Sequence, residues 1–185
     1  MNASLIQDTF KYFAKYPVLN GVLKNFQRTA ADPADAYDTF KATIAALTPN
    51  SLISGLQDYI FGADILAIQK RIENTTGIYL YIDYGNISDT LMEPMKTEIG
   101  TFTIGVTIAK KSQPDDLDPV QQLLIADATM AMLSQLKDIA KADAHTNKFL
   151  KNLTFPLDIT PWFAPDFFNS IGWTMTFQTR GVHLI

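Results

Sequence analysis

Thr101-Phe102-Thr103-Ile104-Gly105-Val106-Thr107-Ile108 alternates apolar with small or polar residues at every step. A period of two puts Phe102, Ile104, Val106 and Ile108 on one face of a strand and the threonines with Gly105 on the other. Two further stretches follow the same rule. Upstream, Ile78, Leu80 and Ile82 alternate with Tyr79, Tyr81 and Asp83; downstream, Ile171, Trp173, Met175 and Phe177 alternate with Gly172, Thr174, Thr176 and Gln178. Leu153, Phe155, Leu157 and Ile159 alternate as well, although Pro156 confines that segment to an edge strand or an extended arm. Residues Tyr84–Pro94 read as a loop, with Gly85-Asn86 as turn chemistry. Strands with one apolar and one Thr-rich face predict a mostly antiparallel sheet with helices packed on one face.

Moving outward from the strands, the period becomes 3.6. Pro119 to Lys141 contains no Gly or internal Pro, and Asp118-Pro119 supplies a cap and a preset first helical residue. Its apolar residues (Val120, Leu123, Leu124, Met130, Met132, Leu133, Leu136, Ile139) occupy more than one side of the helix. A helix apolar on several sides has to touch several partners. Residues 1–74 read as helical throughout. Leu5, Ile6, Phe10, Phe13 and Tyr16 recur at helix spacing up to Pro17, and Asp32-Pro33 opens a second helix through Leu47. Pro49-Asn50-Ser51 opens a third to about Phe61, and Asp64 caps a fourth with Ile65, Leu66, Ile68 and Ile72. The expectation is one α+β domain over 1–185, with a helical part to residue 74 and a sheet plus long helix from 75.

Composition excludes several function classes. There are no cysteines, which removes disulfides, thiolate nucleophiles and cysteine-held metals. The formal charge of −4, with dispersed basic residues, argues against nucleic-acid binding, which needs clustered Lys and Arg. Asp8, Lys11 and Lys15 interrupt any secretory signal, and no apolar run approaches a membrane span. The expected setting is the cytoplasm or a particle assembled there.

Little in the chain can run a reaction. Phosphate-loop, dinucleotide and nucleophile-elbow signatures are missing. His145 and His183 are far apart, and the first suits the C-terminal end of the long helix. Asp115, Asp116 and Asp118 lack the spacing of a calcium loop and read as a solvated approach to a helix N-terminus. Asp83 and Asp89 have no convincing partner. An enzyme is not expected, and no cofactor or metal is implied.

The unusual segment is Thr160-Pro161-Trp162-Phe163-Ala164-Pro165-Asp166-Phe167-Phe168. Two readings stand open: a loop folded over its own core, or an apolar arm that a partner covers. Trp162, Phe163, Phe167 and Phe168, with Met130 and Met132 of the long helix, are the candidate interface residues. A carrier of lipid-like molecules, with an apolar cavity between helices and sheet, is the alternative to an assembly protein.

The order Phe61-Gly62-Ala63-Asp64, Ile78–Ile82, Phe102–Val106, the Asp118–Lys141 helix and Ile171-Gly172-Trp173-Thr174-Met175-Thr176-Phe177 resembles tail-terminator and tail-completion (neck) proteins of tailed phages and prophages. The extra helical stretch over about 17–60 departs from that pattern. The resemblance implies a ring-forming virion protein, often a hexamer, that contacts copies of itself and other tail or neck proteins. It implies no catalysis.

Overall fold

The computed structural model describes residues 5–28, 35–47, 51–92, 97–112, 118–147, 150 and 158–182. Helices α1 (Leu5–Phe13), α2 (Leu19–Leu23) and α3 (Ala36–Ala45) come first. Strand β1 (Leu56–Phe61) and helix α4 (Ile65–Glu73) lead into a long hairpin of β2 (Ile78–Met92) and β3 (Thr97–Lys110). Helix α5 (Pro119–Asp143) precedes β4 (Asp158–Ala164), a short 3-10 turn (Pro165–Phe167) and β5 (Ser170–Val182). The strands form one sheet in the order β1-β2-β3-β5-β4. Only β1 and β2 run parallel; the other pairs are antiparallel. The fold is α+β with a mostly antiparallel sheet.

The main core lies between the sheet and helices α1 and α5. Leu80, Ile82, Phe102, Ile104, Val106, Ile108, Met175 and Phe177 supply its floor. Phe10 and Phe13 enter it from α1, and Leu133, Leu136 and Ala140 from α5. The alternation in the sequence thus became the buried face. A parallel β1–β2 pair requires a crossover, and α4 provides it on the opposite face. There Ile68 and Ile72 pack on Ile60, Tyr79, Tyr81 and Ala109.

Four expectations need correction. The helices do not all pack on one face, because the parallel β1–β2 crossover carries α4 to the other. Residues 56–61 form a strand, so the first 74 residues are not all helical. Ile53, Leu56, Tyr59 and Ile60 mimic helix spacing, yet both faces of this strand are covered. Phe10 meets Tyr59 and Phe61 on one side, with ring centroids 5.0 Å apart in each case, while Ile60 joins the α4 cluster on the other. A strand buried on both faces loses its alternation. Gly55, at φ +87°, breaks the chain away from helical geometry just before it.

The Tyr84–Met92 stretch is strand, not loop. Its pairing with β3 shifts register between Asp83 and Asn86, where the N–H of Gly85 donates to the Asp83 carboxylate at 2.9 Å. The turn residues therefore make a bulge inside a ladder that continues to Met92 and Thr97. Finally, α3 is capped by Asp35, whose carboxylate accepts from the N–H of Tyr37 at 2.9 Å. Asp32 and Pro33, the expected opening, lie outside the described residues. The other two caps match the sequence: Asp64 accepts from Leu66 and Ala67, and Asp118 from Gln121.

Candidate assembly surface

The aromatic segment 160–168 forms β4 and the 3-10 turn, and β4 pairs with β5 along its length from Asp158↔Thr176 to Ala164↔Ser170. It is therefore bound to its own sheet. Pro161 sits in an edge strand, where the missing N–H costs no ladder bond that a neighbour needs. Residues 151–157, with Leu153, Phe155 and Leu157, lie outside the described residues.

The six candidate side chains divide. Trp162 and Phe167 pack on the α4-side cluster, their rings 5.7 Å apart, with Trp162 6.3 Å from Tyr81. Met132 packs on the main core, and Met130 is half-buried. Phe163, on the other side of β4 from Trp162, remains 65% exposed. Phe168 is partly exposed, with the Lys111 ammonium 5.8 Å above its ring. The segment therefore has two rings packed inward, Trp162 and Phe167, and two exposed, Phe163 and Phe168.

Two apolar patches were not singled out from the sequence. The first is the start of α5. Val120, Leu123 and Leu124 are 64%, 66% and 61% exposed, and every residue from Asp118 to Leu124 is exposed. Downstream, Thr129, Leu133, Leu136 and Ala140 are buried against the sheet. The signal was present in the multi-sided helix; its location depended on where the helix meets β5. The second patch is the start of α4, where Ile65 and Leu66 are 61% and 76% exposed.

Beside α4 runs a groove of about 480 Å³, lined by Phe10, Phe61, Tyr84, Ile68, Lys70 and Arg71 among others. Phe61 and Tyr84 stack across it, 4.7 Å between centroids. Arg71 is held in place by the carbonyls of Lys24 (2.8 Å) and Tyr59 (3.3 Å), and burial pushes its guanidinium pKa down. Asp64 also lines the groove, but its carboxylate is spent on the α4 N-terminus.

No protein-family model matches this chain, and no curated protein matches it.

The acidic candidates take structural positions. Asp118 caps α5, and Asp83 accepts from Gly85 beside a shallow recess formed with Thr103, Gly105 and Thr176. Asp89 stands in β2 opposite Gly100. His145 follows the end of α5 and is exposed. Asp115, Asp116 and His183 lie outside the described residues. Among the described residues no group of three or more His, Asp or Glu is placed to hold a metal ion. Among them also, no helix is long and apolar enough to cross a membrane.

Titration is perturbed mainly at tyrosines. Burial raises Tyr12 and Tyr16, whose hydroxyls are 2.8 Å apart, and Tyr59 and Tyr81 rise for the same first reason. Burial also pushes Tyr79 up to about 12. These are core phenols tied to packing, and the Tyr12 hydroxyl donates to the Asp143 carboxylate at 3.0 Å.

Proposed function

We propose that this chain is a non-enzymatic structural protein that assembles with copies of itself, as part of a phage or prophage tail or neck. The observation that carries the reading is the exposed Val120-Leu123-Leu124 stripe on α5. Fully burying a Val or Leu side chain is favourable by about 1.5–3 kcal/mol. Three of them left about two-thirds exposed forgo several kcal/mol unless another polypeptide covers them. Association itself costs ~4–15 kcal/mol in lost freedom. One such stripe therefore makes a weak pair, and a closed ring, in which each copy uses two contacts, is the arrangement that makes it persist. The resemblance in element order to tail-terminator and tail-completion proteins supplies the setting, with other tail or neck proteins as further partners.

A cavity-based carrier has less support. Phe13, Tyr16, Phe102 and Phe177 are almost fully buried between helices and sheet, where a lipid would have to go.

Native mass spectrometry and sedimentation velocity test the assembly reading. A defined oligomer that grows in with concentration is expected, and the doubly substituted Leu123→Lys, Leu124→Lys chain should stay monomeric with unchanged circular dichroism. A wild-type chain that remains monomeric at the highest attainable concentration sinks the proposal. Adjacent portal, capsid or tail-tube genes would supply the phage setting.

A further inference from the structure

Building on that reading, we infer that the first two turns of α5 in one copy dock head to tail on the exposed start of α4, Ile65 and Leu66, at the rim of its groove in the next copy. The two patches cannot satisfy each other within one chain. The α5 helix lies on the main-core face, and Ala126, just past its exposed turns, is tied to Trp173, which pairs with Ile108. The α4 helix lies on the opposite face and starts after Phe61, level with Ile82. If either patch paired only with its own copy, the other would stay bare. Joining one to the other covers both, and repeats from copy to copy.

Spacing and charge agree with this pairing. Val120, Leu123 and Leu124 recur at i, i+3 and i+4, the pattern by which an amphipathic helix fills a groove. Asp127 stands one turn beyond Leu123 and is exposed. On α4, Lys70 stands one turn beyond Leu66 and is exposed. Each helix thus presents leucine and a charge one turn apart, with opposite signs. The wider sequence carries the same bias: between Lys111 and Lys137 there are Asp115, Asp116, Asp118 and Asp127 and no basic residue. The groove has Lys70 and Arg71 on its lining, and its own carboxylate, Asp64, is occupied by the helix cap. Opposite charges flanking an apolar contact select its register and reject like-on-like pairing.

The absence of cysteine gives a direct test. Leu123→Cys and Leu66→Cys are made as separate chains, both at highly exposed positions, then co-expressed and treated with a short bis-maleimide. A covalent dimer is expected from the mixture and not from either variant alone. Suppose native mass spectrometry shows an oligomer, yet Leu123→Cys links to itself as readily as to Leu66→Cys, or no link forms. The docking proposed here is then wrong and the assembly reading survives. If the mixture is monomeric at high concentration, both fall. Lys70→Glu should weaken assembly, and pairing it with Asp127→Lys should restore it; no restoration counts against the proposed register.

Discussion

The indole N–H of Trp173 in β5 donates to the backbone carbonyl of Ala126 in α5 at 2.9 Å. The same carbonyl accepts from the Thr129 hydroxyl at 3.0 Å. This is the point at which α5 joins the sheet: the residues before Ile125 are exposed, and the buried stripe begins at Thr129. The bond therefore lies at the boundary between the projecting turns and the packed ones.

Trp173→Phe removes this donor together with part of the indole's packing on the core, so at least the hydrogen bond's share of stability should be lost. A net loss of about 1 kcal/mol is expected for one hydrogen bond. Urea unfolding would show a lower midpoint with an unchanged slope. An unchanged midpoint would mean the bond does not hold the helix.

Tyr79 presents the opposite case. Its hydroxyl is buried without a hydrogen-bond partner, as is the indole N–H of Trp162. The Ser170 hydroxyl and the Trp162 indole lie near enough to hold the Tyr79 pKa down against the rise from burial. A buried orphan polar group costs ~1–3 kcal/mol, so Tyr79→Phe should raise stability, by about 1 kcal/mol. A loss instead would show that the hydroxyl bonds Ser170 or Trp162 in solution.

Alkaline pH should unfold the domain through its tyrosines. Tyr12, Tyr16, Tyr59, Tyr79 and Tyr81 all hold their protons to higher pH than usual, burial being the first cause. In the unfolded chain they ionise near pH 10. The folded state thus binds more protons than the unfolded state above that pH. Its stability is complete below pH 10 and falls as pH rises toward the folded values, about 12 for Tyr79. Thermal midpoints should be flat up to roughly pH 9 and then drop. Of the seven tyrosines, these five should form tyrosinate only together with unfolding; absorbance of more than two tyrosinates near pH 10 in a folded chain would contradict the burial.

How much of this was legible follows from what each element touches. The strand through Phe102–Ile108 was readable because it has one dominant apolar face, and the helix from Pro119 because no Gly or Pro interrupts it; Asp64 and Asp118 announced their helices by capping chemistry. Residues 56–61 were not readable. Tyr59 and Ile60 are both buried, on opposite faces, so the period carried no information. Gly85-Asn86 looked like a turn because a bulge and a turn use the same residues. At the candidate surface, Trp162 and Phe163 are neighbours in sequence and equally apolar. One faces α4 and the other faces solvent, and only the pairing of β4 with β5 separates them.

Phe168 and Asn169 adopt left-handed backbone angles, φ 56° and 51°, at the turn into β5. Asparagine tolerates this region and phenylalanine does not. Phe168→Gly and Phe168→Ala both remove the ring, but only glycine relieves the backbone. The Gly variant should be the more stable of the two by ~1 kcal/mol. Equal midpoints in paired urea melts would show that the turn is not strained at this residue.

At the C-terminal end of α5 the Asp143 carboxylate reaches across to Tyr12 of α1 and to Lys15 just after it. Asp143 accepts from the Tyr12 hydroxyl at 3.0 Å and from the Lys15 ammonium, while that ammonium also lies 4.0 Å over the Tyr12 ring. Tyr12 in turn meets Tyr16, which is fully buried. Hydrogen bonds to charged groups contribute ~1.5–3 kcal/mol each, but the side chains of Lys15 and Asp143 are 20% and 29% exposed, which weakens their pairing. Asp143→Ala should therefore cost about 2 kcal/mol in all, since the Tyr12 contact is lost as well. A cycle with Lys15→Met should assign to the ion pair about 1 kcal/mol or less. If α1 is held mainly by Phe10 and Phe13 in the core, the unfolding slope stays unchanged in Asp143→Ala; a reduced slope would mean that the helix detaches before the sheet unfolds, and that this carboxylate was its main tether.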